Sequence, residues 1–294
     1  DHRQANALGL HVVYPLHESP TVEYPLVKTE LDLTGFYHLD VLRDARVHLF
    51  VETMRMMAQY LAVLRGGYCI GPLTLTGLMM GASETALATI ENPDLLHKAL
   101  EFSTHVIGRY AAALVSAGAD MIAILEPTAV MLSPRSFWEF SGRYLQQLVE
   151  HIEAAPILHI CGDTSHLIEQ MVRTGAQGLS LDALVDLPTV AARVPGEVVL
   201  IGNVNPTAVM LYETPAGVYR HTRALLDAMA PYPNFVLSTG CDLPPETPLE
   251  NIAASMDAGR GRPLGGGTEV QEGLAGLVKE RPESILAMLE GTWL

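Results

Sequence analysis

The chain has 294 residues, 49% of them hydrophobic and 17% charged, and carries a formal net charge of −15. That length and apolar content suit one large domain or two small ones. So acidic a composition lacks the basic footprint that nucleic acid requires, and no apolar run is long enough to span a bilayer. Three cysteines are too few and too odd a number for a disulfide framework, which points to a reducing cytoplasm.

Taken in chain order, residues 10–27, "LHVVYPLHESPTVEYPLV", predict a hairpin that turns at His17-Glu18-Ser19-Pro20. Helical periodicity covers 41–64 and 93–118, on either side of "GGYCIGPLTLTGLMMG" (66–81), which reads as a strand and turn. "DMIAILEPT" (120–128) is a strand broken by Glu126-Pro127. Ser133-Pro134 then opens a helix running to 154. The strand "PILHICGD" (156–163) leads into a helix over 164–176, with Thr164 or Ser165 placed to cap it. Strands at 178–183, 197–206 and 234–244 alternate with helices near 187–194, 214–229 and 248–260.

Strands alternating with helices imply parallel pairing through right-handed crossovers. This many units favours a (β/α)8 barrel over an open sheet, and no G-x-G-x-x-G turn supports a dinucleotide-binding fold. Six barrel strands are expected, near 68–71, 121–125, 157–161, 179–182, 198–202 and 235–239. The first one or two strands are expected to lie before Asp1. A chain starting here would expose strand edges and tend to associate as a homo-oligomer. The expected division is a barrel over 1–260 and a Gly-rich linker with a C-terminal helix over 261–294.

In such a barrel, functional side chains sit at the C-terminal ends of the strands. His159 and Cys161 close one strand and point to the same side, because residues i and i+2 share a face. Cys241 holds the equivalent place on another strand; Glu126, Asp182 and Asn203 end three more. A His-Cys-Cys set suits zinc, filling three tetrahedral positions and leaving one open. Two thiolates cancel the metal's charge, making it a poor activator of water but a suitable holder of a substrate thiolate. The alternatives are a packed H-x-C core pair or a Cys161–Cys241 disulfide. Cys69, inside its strand, reads as core.

At these residues the chain resembles the uroporphyrinogen decarboxylase superfamily, and within it the methylcobamide:coenzyme M methyltransferases. The resemblance runs through "ALGLHVVYP", "IGPLTLTGLMMG", "GADMIAILEPTAVMLSP", "HICGDTSHLIEQMVRTGAQGLSLDA", "IGNVNP" and "STGCDLPPETPLENI". It implies a (β/α)8 barrel with catalytic zinc on His159, Cys161 and Cys241. It also implies transfer of a methyl group from a methylated corrinoid protein to a thiol such as coenzyme M.

On that resemblance, Gly71 and Gly77 would let a corrin approach closely beside Met79 and Met80, unless the methionines are packed core. Glu126 would take the fourth zinc position at rest or accept a substrate hydrogen bond. Asp163, Asp182 and Asp242 would orient ligands or tune the metal. Asn203 would donate to a substrate anion, or only form the turn with Asn205-Pro206, and Arg135 would meet a sulfonate. The competing functions are porphyrinogen decarboxylation, which uses arginines and no metal, and a non-catalytic zinc or corrinoid-docking module.

Overall fold

The alternation of apolar strands and amphipathic helices folds as a repeating β/α chain in the computed structural model, which describes residues 3–14 and 21–265. Helices α1 (Arg3–Ala7), α2 (Glu30–Phe36) and α3 (Ala45–Tyr60), with strands β1 (Val12–Val13) and β2 (Thr21–Val22), precede the main sheet. Six strands follow: β3 (Gly66–Ile70), β4 (Met121–Leu125), β5 (Ala155–Ile160), β6 (Gly178–Leu181), β7 (Val199–Val204) and β8 (Phe235–Thr239). After β3 come α4 (Pro72–Met80), α5 (Ala82–Glu91) and α6 (Pro93–Ser116). After β4 come α7 (Pro134–Phe137) and α8 (Arg143–Glu150), joined by a π-helical turn. Helices α9 (Ile168–Arg173), α10 (Leu187–Ala191), α11 (Pro215–Met229) and α12 (Leu249–Gly259) follow β5, β6, β7 and β8 in turn.

Each main strand pairs in parallel with the next in sequence, in the order β3-β4-β5-β6-β7-β8. Sequential order with a helical crossover at every step is the arc of a (β/α)8-type barrel, not a doubly wound sheet. Among the described residues β3 and β8 are its two edges. The expected hairpin is present as the antiparallel pair β1–β2, with Val12 opposite Val22 and Val13 opposite Thr21. Its turn lies outside the described residues, as do residues 266–294 of the expected linker and C-terminal helix. No helix among the described residues is long and apolar enough to cross a membrane.

Burial follows the sequence pattern. Strand β5 is covered from Pro156 to Ile160, as a run apolar on both faces should be. Helix α6 buries Leu96, Leu100, Ser103, Ile107, Tyr110 and Leu114, the stripe that a period near 3.6 produces. Cys69 is core, as are Met79 and Met80. Two local expectations fail. The segment read as a turn after β3 is the helix α4, and α9 starts at Ile168 rather than at Thr164 or Ser165. Residues 163–167 instead form a turn, in which Asp163 Oδ1 accepts from the Ser165 amide and Thr164 O accepts from Leu167.

Helix α4 starts where it does because a carboxylate from another strand caps it. Its own N-cap, Gly71, has no side chain to do so. Glu126, at the end of β4, accepts from the amides of Leu73 and Thr74, at 2.9 and 2.6 Å, and from the Thr74 hydroxyl. A Cβ on Gly71 would lie 2.4 Å from that carboxylate, so glycine is required for the two elements to meet. Burial pushes the Glu126 carboxyl up to about 7, against the opposing pull of the Thr74 and Leu73 hydrogen bonds.

Two outcomes follow. Leu158→Ala, at a site 1% exposed, lowers unfolding free energy by about 2–5 kcal/mol in urea titration, whereas Leu31→Ala, 80% exposed, changes it by less than ~0.5 kcal/mol. For Glu126 the folded-state pKa exceeds the unfolded one. The protonated form is therefore the stabilised one, and stability is lost as pH rises from about 4.5 to about 7. Relative to Glu126→Gln, the native protein should lose on the order of 3 kcal/mol across that window, measured by urea unfolding at its two ends.

Candidate metal centre

His159 is the fifth residue of β5, Cys161 lies just past its end, and Cys241 lies two residues beyond the end of β8. Strands β6 and β7 intervene. In a flat sheet with strands about 4.8 Å apart, β5 and β8 would be separated by roughly 14 Å. Instead the Cys161 and Cys241 Sγ atoms are 3.6 Å apart, so the sheet curls and its C-terminal ends converge. His159 Nε2 stands 3.1 Å from Cys161 Sγ and 3.9 Å from Cys241 Sγ. These are the three residues among the described ones whose His, Cys, Asp and Glu ligand atoms gather into a metal-sized group.

The sulfurs are not bonded to each other. A disulfide would need them about 2.05 Å apart. An ideal tetrahedron with Zn–S of about 2.3 Å and Zn–N of about 2.05 Å has edges of about 3.8 Å (S···S) and 3.6 Å (N···S). The observed edges of 3.6, 3.1 and 3.9 Å surround those values.

The imidazole is oriented for a metal. His159 Nδ1 lies 3.1 Å from the Ser180 carbonyl oxygen and 3.0 Å from the Ser180 hydroxyl. A carbonyl can only accept, so Nδ1 carries the proton. With Nδ1 so engaged, Nε2 is the ring nitrogen that faces the two sulfurs. The two thiols are pushed in opposite directions. Cys241 is pulled down by its contact with Cys161 first and His159 second. Cys161 is pushed up by the neighbouring Cys241 and by burial. The two sulfurs therefore favour a single shared charge unless a cation offsets a second. A divalent metal held by His159, Cys161 and Cys241 would supply that offset, so the donor set fits zinc.

The loop after β6 holds the two cysteine-bearing loops together. Asp182 Oδ2 accepts from the Gly162 amide, next to Cys161, and Oδ1 accepts from Leu184. On the other side a Cβ on Gly240, next to Cys241, would lie 2.3 Å from the Ala183 nitrogen. Gly162 itself has φ +92°, where glycine is favoured, and a Cβ there would sit 3.0 Å from Val130. Asn203 ties the same loop down, its side-chain amide donating to the Asp182 and Val185 carbonyls at 3.0 and 2.7 Å.

The other expected site residues are placed differently. Glu126 does not join the cluster; its oxygens are committed to α4, although its backbone N–H does donate to His159 O at 2.9 Å. Asp182 is likewise outside the cluster, with both oxygens on backbone amides. Asn203 has both amide hydrogens engaged, leaving none for a substrate anion. Gly71 is needed for the Glu126 contact. Gly77 lies on the partly exposed face of α4, where a Cβ would first meet Thr128 at 4.0 Å. Arg135 is exposed on α7. Sequence reasoning missed Ser180 and Gly240. The signal for Ser180 was a single hydroxyl in the apolar "GLSL" strand, and the observed register sets it opposite His159.

Comparison with known proteins agrees with this architecture. The uroporphyrinogen decarboxylase (URO-D) family model matches residues 2–261. A uroporphyrinogen decarboxylase of Paraburkholderia phytofirmans is 27% identical over 271 residues, covering 86% of this chain and 73% of that one. The methylcobamide:CoM methyltransferase MtaA of Methanosarcina barkeri is 30% identical over 224 residues, covering 74% of this chain and 65% of its own length. A solved methyltransferase from Methanosarcina mazei superposes with a TM-score of 0.80 at 26% identity, over 87% of this chain and 77% of that one. On the match across its barrel, the chain belongs to the uroporphyrinogen decarboxylase (URO-D) family.

Proposed function

We propose that the chain is a zinc-dependent methyltransferase that moves a methyl group from a methylated, protein-bound corrinoid to a small thiol. The observation that carries the reading is the triangle of His159 Nε2, Cys161 Sγ and Cys241 Sγ at the C-terminal end of the strands. Relatives named as methylcobamide:CoM methyltransferases support it.

Zinc held by His159, Cys161 and Cys241 would supply a site at which an incoming thiol is kept deprotonated near neutral pH. The chain's own residues shape that site. Ser180 engages His159 Nδ1 and so turns Nε2 toward the two sulfurs. Asp182 is a positioning residue: through Gly162 and its neighbour Ala183 it sets the separation of Cys161 from Cys241. Glu126 acts at one remove, anchoring the start of α4 and, through its backbone, the end of β5. In the transfer, the thiol proton leaves to solvent and the sulfur forms the new S–CH3 bond with its own electron pair. The cobalt–carbon bond breaks with both electrons left on cobalt, which passes from cobalt(III) to cobalt(I).

The decarboxylase alternative draws support from relatives of that name. It leaves the His159–Cys161–Cys241 triangle without a task. It would also bring a many-carboxylate substrate to a rim carrying Asp163, Asp182 and Asp242. A purely structural zinc site would be closed by four protein ligands, and three are assembled among the described residues.

Cys161→Ser and Cys241→Ser should each lose bound zinc and lower the rate of thiol-dependent methylcobalamin demethylation on the order of 100-fold or more, with far-UV circular dichroism retained. Ser180→Ala should weaken metal binding by about 10-fold or less, because the Ser180 carbonyl still accepts from Nδ1. Zinc content by atomic emission and cob(I)alamin absorbance check both. Undiminished turnover in metal-free cysteine variants would refute the reading.

A further inference from the structure

We propose that Cys161 and Cys241 are a redox pair: a small disulfide oxidant closes them into a reversible disulfide, and that bond and a metal exclude one another. The exclusion rests on reading the His159–Cys161–Cys241 triangle as a metal centre; the bond itself does not.

The two Sγ atoms lie 3.6 Å apart and are unbonded, so they must close by only about 1.5 Å to reach the disulfide length of about 2.05 Å. Neither cysteine is inside a strand. Cys161 lies just past the end of β5 and Cys241 two residues beyond the end of β8. Loop backbone and side-chain rotation can therefore close the gap without pulling hydrogen-bonded strands together. Both cysteines are partly exposed, whereas Cys69 is fully buried in β3. A soluble oxidant thus meets the pair and not the third thiol.

The fold also favours closure over simple capping. The two residues are 80 positions apart in sequence, yet the curl of the sheet holds their sulfurs side by side. Once one sulfur has reacted, the other is already within reach, and an intramolecular step of high effective concentration outruns a second encounter with oxidant. One cysteine thiolate attacks a sulfur of the oxidant RSSR, forming a mixed disulfide and expelling RS−. The other thiolate attacks the protein sulfur of that mixed disulfide, forming the Cys161–Cys241 bond and expelling the second RS−. The cysteines lose two electrons, the oxidant gains them, and the two thiol protons end on the two released RSH molecules.

The consequence for the site follows from what binds metal. The thiolate is the ligand, and a disulfide has none to offer, so oxidation would leave His159 alone of the three donors. Conversely, a metal holding both sulfurs occupies the lone pairs that would attack the oxidant. Where thiols are kept reduced, such a bond is transient and regulatory rather than structural. Oxidation switches the site off and a dithiol restores it.

The full chain, stripped of metal by a chelator and kept dilute, is incubated with oxidised glutathione near neutral pH, and free thiols are then counted in denaturant. The count should fall from three per chain to one, with peptide mapping joining Cys161 to Cys241 and no glutathione retained. Dithiothreitol should restore all three thiols and, with them, zinc uptake. Zinc-loaded protein should lose thiols on the order of 10-fold more slowly. In Cys161→Ser closure is impossible, and Cys241 should keep one glutathione instead. A count that stays at three, glutathione adducts without the Cys161–Cys241 link, or a link between different chains overturns the redox pair and leaves the metal reading intact. A link that forms as fast with zinc bound, or that leaves zinc uptake unchanged, overturns the exclusion. A link formed in a reduced chain that takes up no zinc overturns the metal reading and the exclusion with it, and upholds the bond.

Discussion

Everything at this site depends on bringing sulfurs from β5 and β8 to within 3.6 Å across two intervening strands. No local motif can do that. It requires β6 and β7 to curl the sheet until the ends of non-adjacent strands meet, which is what a barrel arc does and a flat sheet cannot. The parallel, sequential strand order is therefore part of the chemistry. Loss of the curl would separate the donor atoms even with every ligand residue still in place.

The curl places the strand ends near one another, and the loop after β6 sets the final distances. Asp182 holds the Cys161 loop through Gly162, and Ala183 lies against Gly240 beside Cys241. Asn203 fixes the carbonyls of that same loop from β7. On the other flank Glu126 caps α4 and bonds the backbone of His159. These side chains were singled out because they end strands, and they do matter to the site, but by holding backbone rather than by facing a ligand. A buried carboxylate with backbone amides within reach satisfies itself there, because leaving either group unpaired costs more than the contact.

The meeting of His159, Cys161 and Cys241 was legible in the chain because their spacing has a simple geometric meaning. An H-x-C pair at the end of a strand must project to one side, and a second cysteine at a strand end must rise to the same rim. The six strands were legible too, since each is a short apolar run between turn signals. What was not legible depends on partners distant in sequence. "PLTLTGLMM" reads as a turn because its residues show no amphipathic period, and its helix is secured by a carboxylate about fifty residues away. Asn203 looked available until the loop it ties down was in view. Ser180 could be recognised only once the strand register set it opposite His159.

The account's central claim is that one metal is shared by His159, Cys161 and Cys241 with a corner left for sulfur. X-ray absorption at the zinc edge tests it most directly, on protein purified without chelator and then given a thiol. The account predicts one zinc per chain with two sulfurs at about 2.3 Å, rising to three when the thiol binds. A first shell of nitrogen and oxygen alone, or a sulfur count that stays at two with saturating thiol, would contradict it.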